Sequence, residues 1–293
     1  MPQTHLGNPL PADVDFFVAA PSEIGDVLSQ SSTLKQGQQG TASKAHIQLA
    51  LAFFGIAVIC GLVYWKTNNT FALVGALLFA GFGGLRAINI KRFECNYVGE
   101  LGFARYRVGK DDQTKNSIEG GIFLYKNGAH LYTNVIETRG LCPFYGQNAV
   151  YQWVDANNKF LVSIFTDQYV PTDPVPDDSV ISFLRAAEAQ WVRTRLPIAQ
   201  GTLASGRAEF PNRRGGVVAL TADRIVFETK EKMEIMGSDL VAINHVSGDL
   251  EFVTGAGKVA ALNVSFFADA MLFEELVAAQ FGLERYDSGI RRA

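Results

Sequence analysis

The sequence predicts a membrane α-hairpin followed by an α+β region, in which bent antiparallel sheets are each closed by a C-terminal helix. Three observations lead to this fold class. Two long apolar runs lie close together near the start of the chain. From Phe93 onward, apolar and polar residues alternate with the period of two that is typical of strands. Two amphipathic helical patterns, at 178–195 and 268–281, each follow a group of strand patterns.

The two apolar runs, 46–65 and 71–90, are separated only by the polar segment 66–69. Each run is about 20 residues long, which matches the ~30 Å hydrocarbon core of a bilayer at ~1.5 Å per helical residue. The short connection requires the two helices to be antiparallel. Residues 46–92 are therefore predicted to be a transmembrane helical hairpin, with a buried helix pair in a soluble protein as the alternative.

Basic residues predict the orientation of this hairpin. The connection carries only Lys66, whereas Arg86, Lys91 and Arg92 lie at or after the end of the second run. Lysine and arginine beside membrane spans are retained on the cytoplasmic side. We therefore expect a multi-pass protein of the bacterial inner membrane, with the lipid bilayer as a partner and both termini in the cytoplasm.

The second run has small residues at a strict spacing of four, which places them on one face of a helix. They are Ala72, Ala76, Ala80 and Gly84. Small side chains let helix backbones approach closely, so this face is predicted to pack against the first run in the membrane. Homodimerisation through the same face is the alternative.

Composition limits the remaining classes of function. The formal net charge is −3, from 26 basic and 29 acidic residues, so the basic footprint of a nucleic-acid-binding protein is missing. The three cysteines form no CxxC pair, which argues against a disulfide framework. Residues 1–45 are rich in Gly, Ser, Gln, Pro and Thr and are predicted to be a mostly disordered cytoplasmic segment.

Residues 93–197 are predicted to form a first strand-rich domain with a closing helix at 178–195. The segment IFLYKNGAHLYTNV has Asn127–Gly128 between two β-rich runs, which is typical of a hairpin with a type I′ turn. The runs AVYQWVD and KFLVSIF predict a second hairpin. Pro197 is expected to end the closing helix, because proline lacks the backbone N–H that the helix needs.

Residues 198–293 repeat this order of strands followed by a helix. Gly- and Asp-containing turns separate seven predicted strands, which are followed by a closing helix at 268–281 with Gly282 as its C-cap. The predicted strands are 202–210, 217–221, 224–229, 232–236, 241–246, 250–254 and 259–264.

The segment GGVVALTADRIVFET resembles the G-x-L-x-L-T-x-x-R-h-x-F stretch of the pleckstrin-homology (PH) superfold, especially of its GRAM-like and bacterial branches. The matching residues are Gly216, Leu220, Thr221, Arg224 and Phe227. The resemblance covers roughly residues 200–283. It implies a PH-like fold for the second domain, and the shared strands-then-helix order suggests a tandem of two such domains.

Members of that family are usually binding modules, and some bind phosphoinositide headgroups through basic residues around the first two strands. The corresponding residues here are Arg207, Arg213 and Arg214, which are candidates for an anion or partner contact. The resemblance thus implies an interaction or scaffolding module with an unidentified protein partner, and headgroup binding is an alternative.

A third alternative is an envelope enzyme that uses Cys142 with His130, the only nucleophile and base that the strands are expected to bring together. No elbow or oxyanion loop surrounds Cys142, and the other histidines lack the spacing of metal ligands. The sequence therefore predicts no enzyme, no cofactor and no metal site. The resulting hypothesis is an integral membrane protein that displays PH-like domains for protein interaction.

Overall fold

The computed structural model describes residues 2–34, 44–88, 93–108, 118–139, 145–168, 179–229, 232–246, 248–286 and 289–292. These ranges contain sixteen strands in four antiparallel sheets, together with four α-helices and two short 3-10 helices. The strands form two β-rich units, each followed by an α-helix. A separate pair of helices lies between the first two strands of the chain.

The first unit consists of a four-stranded sheet in the order β1-β2-β3-β4, a three-stranded sheet in the order β5-β6-β7, and helix α3. Their bounds are β1 Val27–Ser32, β2 Phe93–Gly99, β3 Gly102–Val108, β4 Ile118–Leu124, β5 His130–Arg139, β6 Tyr145–Val154, β7 Phe160–Gln168 and α3 Val180–Ala204.

The second unit has a four-stranded sheet in the order β11-β10-β9-β8 and a five-stranded sheet in the order β14-β13-β12-β16-β15, with helix α4. Their bounds are β8 Arg207–Pro211, β9 Val217–Thr221, β10 Arg224–Glu228, β11 Lys232–Met236, β12 Leu240–Val246, β13 Asp249–Thr254, β14 Gly257–Asn263, α4 Ala270–Phe281, β15 Leu283–Tyr286 and β16 Gly289–Arg292. The seven predicted strands correspond to β8–β14, whereas β15 and β16 were not predicted.

One continuous hydrophobic core passes through both units. In the first unit, Phe103 packs against Trp153 with their ring centroids 4.7 Å apart. In the second unit, Phe210 and Phe252 both pack against Phe273 of α4. Each closing helix therefore supplies apolar side chains that the sheets of its unit enclose.

Helices α1 (Lys44–Thr67) and α2 (Thr70–Ile88) form an antiparallel hairpin. Within the described ranges, none of the helices combines the length and the hydropathy that crossing a bilayer requires. A span needs about 20 consecutive apolar residues. The 24 residues of α1 include polar residues at both ends, and α2 has only 19 residues, with the charged Arg86 among them.

The predicted transmembrane hairpin is therefore wrong as a fold class. The same finding overturns the prediction of an integral, multi-pass protein of the bacterial inner membrane with both termini in the cytoplasm. The prediction rested on the approximate length of two apolar runs, and the helices that these runs form do not meet the length and hydropathy of a span. Within the described residues, those in antiparallel strands outnumber those in α-helices.

The helical hairpin is inserted between two paired strands of the first unit. Strand β1 lies in the segment that the sequence predicts to be mostly disordered, yet it pairs antiparallel with β2, from Val27 opposite Gly99 to Ser32 opposite Cys95. A short 3-10 helix (Ser22–Ile24) precedes it, and Ile24 is fully buried. The first unit thus begins before the hairpin and resumes after it.

Two local signals in the first unit were misread. Strands β4 and β5, which flank Asn127–Gly128, belong to different sheets and are not a hairpin. A Cβ atom at Gly128 would lie 2.9 Å from the indole ring of Trp191, so this glycine permits a close approach of the helix. Helix α3 also continues through Pro197 to Ala204, since a single missing N–H does not outweigh the packing of its buried face.

The second predicted hairpin of the first unit is confirmed. Strands β6 and β7 pair antiparallel, with Tyr151 opposite Ile164. Asn158 occupies the left-handed region in the connecting turn, at φ +59°. Asparagine tolerates this conformation better than most residues, which explains why the turn signal was readable in the sequence.

Gly216→Ala is expected to destabilise the protein by roughly 3–5 kcal/mol. Gly216 has a φ of +87°, and a Cβ atom there would lie only 2.0 Å from the carbonyl oxygen of Glu228. Gly215→Ala is the matched control, because Gly215 has a φ of +101° but no atom within 4 Å of its Cβ position. It should cost only about 1–2 kcal/mol of backbone strain. Urea unfolding measures both, and equal losses would contradict the clash.

Candidate functional site: the junction between the two units

Among the described residues, the buried side-chain hydrogen bonds with the longest sequence separations lie where the two units meet, a region we call the junction. Helix α3 leaves the first unit there and packs against α4 and β8 of the second. The junction contains two groups of polar side chains. The Asp269 network comprises Asp269, His130, Trp191 and Arg195, and the carboxylate cluster comprises Glu188, Glu274, Tyr151 and His245.

Asp269, which immediately precedes α4, accepts three hydrogen bonds from the first unit through a side chain that is only 6% exposed. Its Oδ1 atom accepts from the backbone N–H of Leu131 and from the indole N–H of Trp191, both at 2.9 Å. Its Oδ2 atom lies 2.9 Å from Nδ1 of His130. A buried carboxylate is costly unless it is satisfied in this way, so all three contacts stabilise the same arrangement.

The backbone of Asp269 adds a fourth contact between the units. Its N–H donates to the carbonyl of Leu131 at 2.7 Å, so Leu131 is bound by both the backbone and the side chain of one residue. Asp269 occupies the left-handed region, with φ +53° and ψ +40°, and its side chain does not cap its own helix. The strained conformation is thus associated with contacts to strand β5 rather than with capping of α4.

Trp191 connects this network to the hydrophobic core. Its ring packs over Gly128, and the guanidinium carbon of Arg195 lies 4.5 Å from the ring centroid. Arg195 also donates to the carbonyls of Tyr125, at 3.2 Å, and Gly128. Burial lowers the pKa of Arg195, and the nearby carboxylate of Asp269 opposes that shift. The two charges therefore compensate each other within the junction.

The carboxylate cluster lies where α3 contacts α4 and β6. Tyr151 of β6 is buried, and its hydroxyl donates to Oε2 of Glu188 at 3.1 Å. Desolvation raises the pKa of Glu188 to about 7, although part of its side chain remains accessible to solvent. The neighbouring Glu274 raises this pKa further, whereas Tyr151, Arg185 and His245 lower it. Glu188 therefore exchanges its proton near neutral pH.

Glu274 of α4 is the second carboxylate, and its side chain is 2% exposed. Its Oε1 atom lies 2.5 Å from Nε2 of His245 on β12, whose side chain is 49% exposed. The contact is an ion pair when His245 is protonated. Glu274 raises the pKa of His245, which burial and Arg285 oppose. The cluster thus extends from buried Tyr151 to exposed His245.

Two of the three predicted anion-binding arginines already have partners. Arg207 forms ion pairs with Glu209 at 2.8 Å and with Glu228 at 2.7 Å. Arg213 donates to Oε1 of Gln152 at 2.7 Å, and its guanidinium carbon lies 3.6 Å from the ring centroid of Tyr132. Arg213 therefore bridges the β8–β9 loop to the outer face of the β5-β6-β7 sheet.

Arg214, the third of these arginines, lies over the ring of Phe266, with 3.9 Å between its guanidinium carbon and the ring centroid. Its backbone N–H donates to Oδ1 of Asn212 at 2.9 Å. The structure thus places Arg207 in surface ion pairs, which contribute little stability, and Arg213 and Arg214 on aromatic rings. An anion-binding role for these residues remains a prediction.

The predicted nucleophile Cys142 lies outside the described residues, so its distance from His130 is not defined. His130 itself is held by Asp269. Within the described ranges, no group of three or more His, Cys, Asp or Glu side chains is arranged to hold a metal ion. The half-buried His5 has its two ring nitrogens 2.8 and 3.1 Å from the hydroxyls of Ser29 and Ser31, and desolvation lowers its pKa to about 3.

Sequence reasoning identified none of the junction residues as functional except His130. Asp269 had a weak local signal, since an Asp before a helix is a common N-cap, but capping would have assigned its side chain to the wrong partner. Glu188, and Glu274 with its neighbour Glu275, are acidic residues within amphipathic helices, a residue type that normally faces solvent. Nothing in their sequence neighbourhoods indicates that they lie at the junction.

Comparison with known proteins does not identify a family. No protein-family model, curated protein or solved structure matches this chain. The resemblance to PH-like domains therefore stays a prediction that rests on the residues of 200–283.

Asp269→Ala is expected to destabilise the protein by about 3–4 kcal/mol, because it leaves the N–H groups of Leu131 and Trp191 buried without an acceptor. Asp269→Asn is the matched control. Its Oδ1 atom can still accept from both groups, and a change of tautomer lets His130 accept from its amide, so the loss should be about 1–2 kcal/mol. Urea unfolding measures both variants. Equal losses would contradict the role given to the hydrogen bonds.

Proposed function

We propose that this chain is a tandem PH-like scaffold, which binds proteins and is not an enzyme, and that it self-associates through its helical hairpin. The observation that carries the proposal is the large apolar surface of that hairpin, which is inserted between two paired strands of a compact unit. The junction also supports a scaffold, because its buried contacts hold the two units together.

The order of the sheets supports the PH-like assignment. In the first unit, a four-stranded sheet, a three-stranded sheet and a closing helix follow one another along the chain. The second unit repeats this order, and its C-terminal strands β15 and β16 extend the second sheet. The residues of the matching motif form the β9–β10 hairpin, where Leu220 and Phe227 are buried and Thr221 accepts from the N–H of Arg224 at 3.3 Å.

The use of the junction side chains supports a scaffold rather than a catalyst. Asp269 is occupied by contacts with Leu131, Trp191 and His130, all of which hold one unit against the other. Catalytic groups need an accessible substrate within hydrogen-bonding reach. A carboxylate that is 6% exposed and accepts three hydrogen bonds instead fixes the relative position of two surfaces.

Large apolar side chains are exposed on both helices of the hairpin. On α1, Leu51, Val58 and Leu62 are more than half exposed, and on α2 the same holds for Phe71 and Leu77. Monomeric proteins rarely leave apolar patches of more than a few hundred Å² open to water. The hairpin is therefore expected to be covered in the functional state.

A second copy of this chain is the occupant that fits this surface best. The sequences of α1 and α2 contain no Asp or Glu, so the surface lacks the charge pattern by which helices usually select a different partner. Two hairpins of the same kind can form a four-helix bundle with an isologous interface, and twofold dimers are the commonest protein oligomers. The half-buried Ala72, Ala76 and Ala80 leave room for close helix contacts.

The test is the oligomeric state of the full chain, measured by sedimentation velocity at micromolar concentrations without detergent. We expect a dimer for the wild type. The double variant Leu62→Glu/Leu77→Glu should be monomeric, with its dissociation constant raised at least a hundredfold, because it buries four carboxylates in the twofold interface. Both residues are exposed in the isolated chain, so the fold should tolerate the change.

Val259→Glu is the matched control, since Val259 is an exposed apolar residue on β14, away from the hairpin. This variant should remain dimeric. A wild type that sediments as a monomer, or that stays dispersed only with detergent or lipid vesicles, would overturn the proposed self-association. A double variant that remains dimeric would show that the interface lies elsewhere.

A further inference from the structure

The carboxylate cluster places two acidic side chains on neighbouring helices of different units. Glu188 of α3 accepts from the buried hydroxyl of Tyr151, which belongs to the first unit. Glu274 of α4 is paired with His245, and both belong to the second unit. Arg185 also acts on Glu188 from its own helix. The titratable side chains that act on Glu188 are therefore Arg185 of α3, Glu274 of α4, Tyr151 of β6 and His245 of β12.

The net charge of this cluster depends on whether two of its side chains, Glu188 and His245, are protonated. With Glu188 protonated and His245 charged, the single negative charge of Glu274 is balanced by its ion pair. Loss of both protons leaves two carboxylates on facing helices, with Arg185 as the cation that still acts on Glu188. Like charges in a partly desolvated site repel each other, and the hydroxyl of Tyr151 still donates to Glu188.

We propose that the cluster of Glu188, Glu274, Tyr151 and His245 is a proton-dependent latch, which holds the second unit against the first when Glu188 is protonated and loosens the α3–α4 contact when Glu188 ionises. The latch acts at the junction and not within the core of either unit. It regulates how firmly the scaffold is held together, whether or not the hairpin self-associates.

The direction of the pH dependence follows from the two protonation equilibria. In an opened junction Glu188 returns to its ordinary pKa of about 4.5, whereas in the closed junction desolvation raises it to about 7. Closure is therefore favoured fully below about pH 4.5 and weakens as the pH rises to about 7. The raised pKa of His245 acts in the same direction, because its ion pair with Glu274 is lost when the imidazole becomes neutral.

Hydrogen exchange of the full chain at pH 5 and pH 8, corrected for intrinsic exchange rates, tests the latch. Protection of the amides in α4 and in the C-terminal half of α3 should fall about tenfold to a hundredfold at the higher pH. The amides of β9 and β10, which lie in the second unit away from the junction, should change by less than threefold. An equal fall in all elements would indicate global destabilisation and would overturn the proposal.

Glu188→Gln is the decisive variant, because glutamine copies the neutral acid and can still accept from Tyr151. It should lose most of the pH dependence of α4 protection and keep only the part that His245 contributes. Glu275→Gln is the matched control on α4, since Glu275 pairs with Arg285 on the exposed side, and it should retain the pH dependence of the wild type. A pH dependence in Glu188→Gln as large as in the wild type would contradict the latch.

A titration of the wild type keeps the proposal testable if Glu188→Gln does not fold. The carboxyl carbons of glutamate, followed by NMR, should include one that titrates close to pH 7, well above the others. The imidazole of His245 should titrate above the ordinary histidine range in the same experiment. Absence of any glutamate that titrates above pH 6 would overturn the proposal without the use of a variant.

Discussion

The relative position of the two units depends on one buried carboxylate. Asp269 contacts the backbone of β5, the indole of α3 and an imidazole of the first unit, while its own backbone begins α4. Because donors from three different residues converge on it, a shift of either unit would leave several polar groups unsatisfied at once. Hydrophobic burial makes the core that passes through both units, but these directional contacts select one arrangement of the units among the many that burial alone would permit.

The strands of the second unit could be predicted because their signals are local. Each alternates with a period of two and is bounded by a turn, and Gly216 at φ +87° shows why glycine was needed in one of them. The strands of the first unit were harder to predict, because they depend on contacts between residues that are far apart in the sequence. Gly128 lies before β5 to admit the ring of Trp191, not to form a hairpin, and Val27–Ser32 becomes a strand only through its pairing with β2. The transmembrane interpretation failed because it rested on the approximate length of two apolar runs, whereas neither of the described helices α1 and α2 combines the length and hydropathy of a span.

The junction could not have been predicted from the sequence for the same reason. The hydrogen bonds of Asp269 join residues 138, 78 and 139 positions apart, and no spacing rule connects such positions. Three arginines, by contrast, were predicted to contact an anion or a partner, and they lie within eight residues of one another. The structure places Arg207 beside two carboxylates and Arg213 on an aromatic ring, so proximity in sequence was a poor guide to availability. Buried acids such as Glu274 show their importance only when their surroundings are known.

The insertion of the hairpin between β1 and β2 has a consequence for the order of folding. Pairing of Ser32 with Cys95 closes a long loop, and the entropy of closing a flexible loop must be lost before the strand contacts compensate for it. A preformed helical hairpin reduces this loss, because antiparallel helices return the chain close to its starting point. During synthesis, β1 leaves the ribosome well before β2, so the two strands can pair only after the whole hairpin has been made. The hairpin thus keeps the ends of β1 and β2 close together, although it contributes no strand to the first sheet.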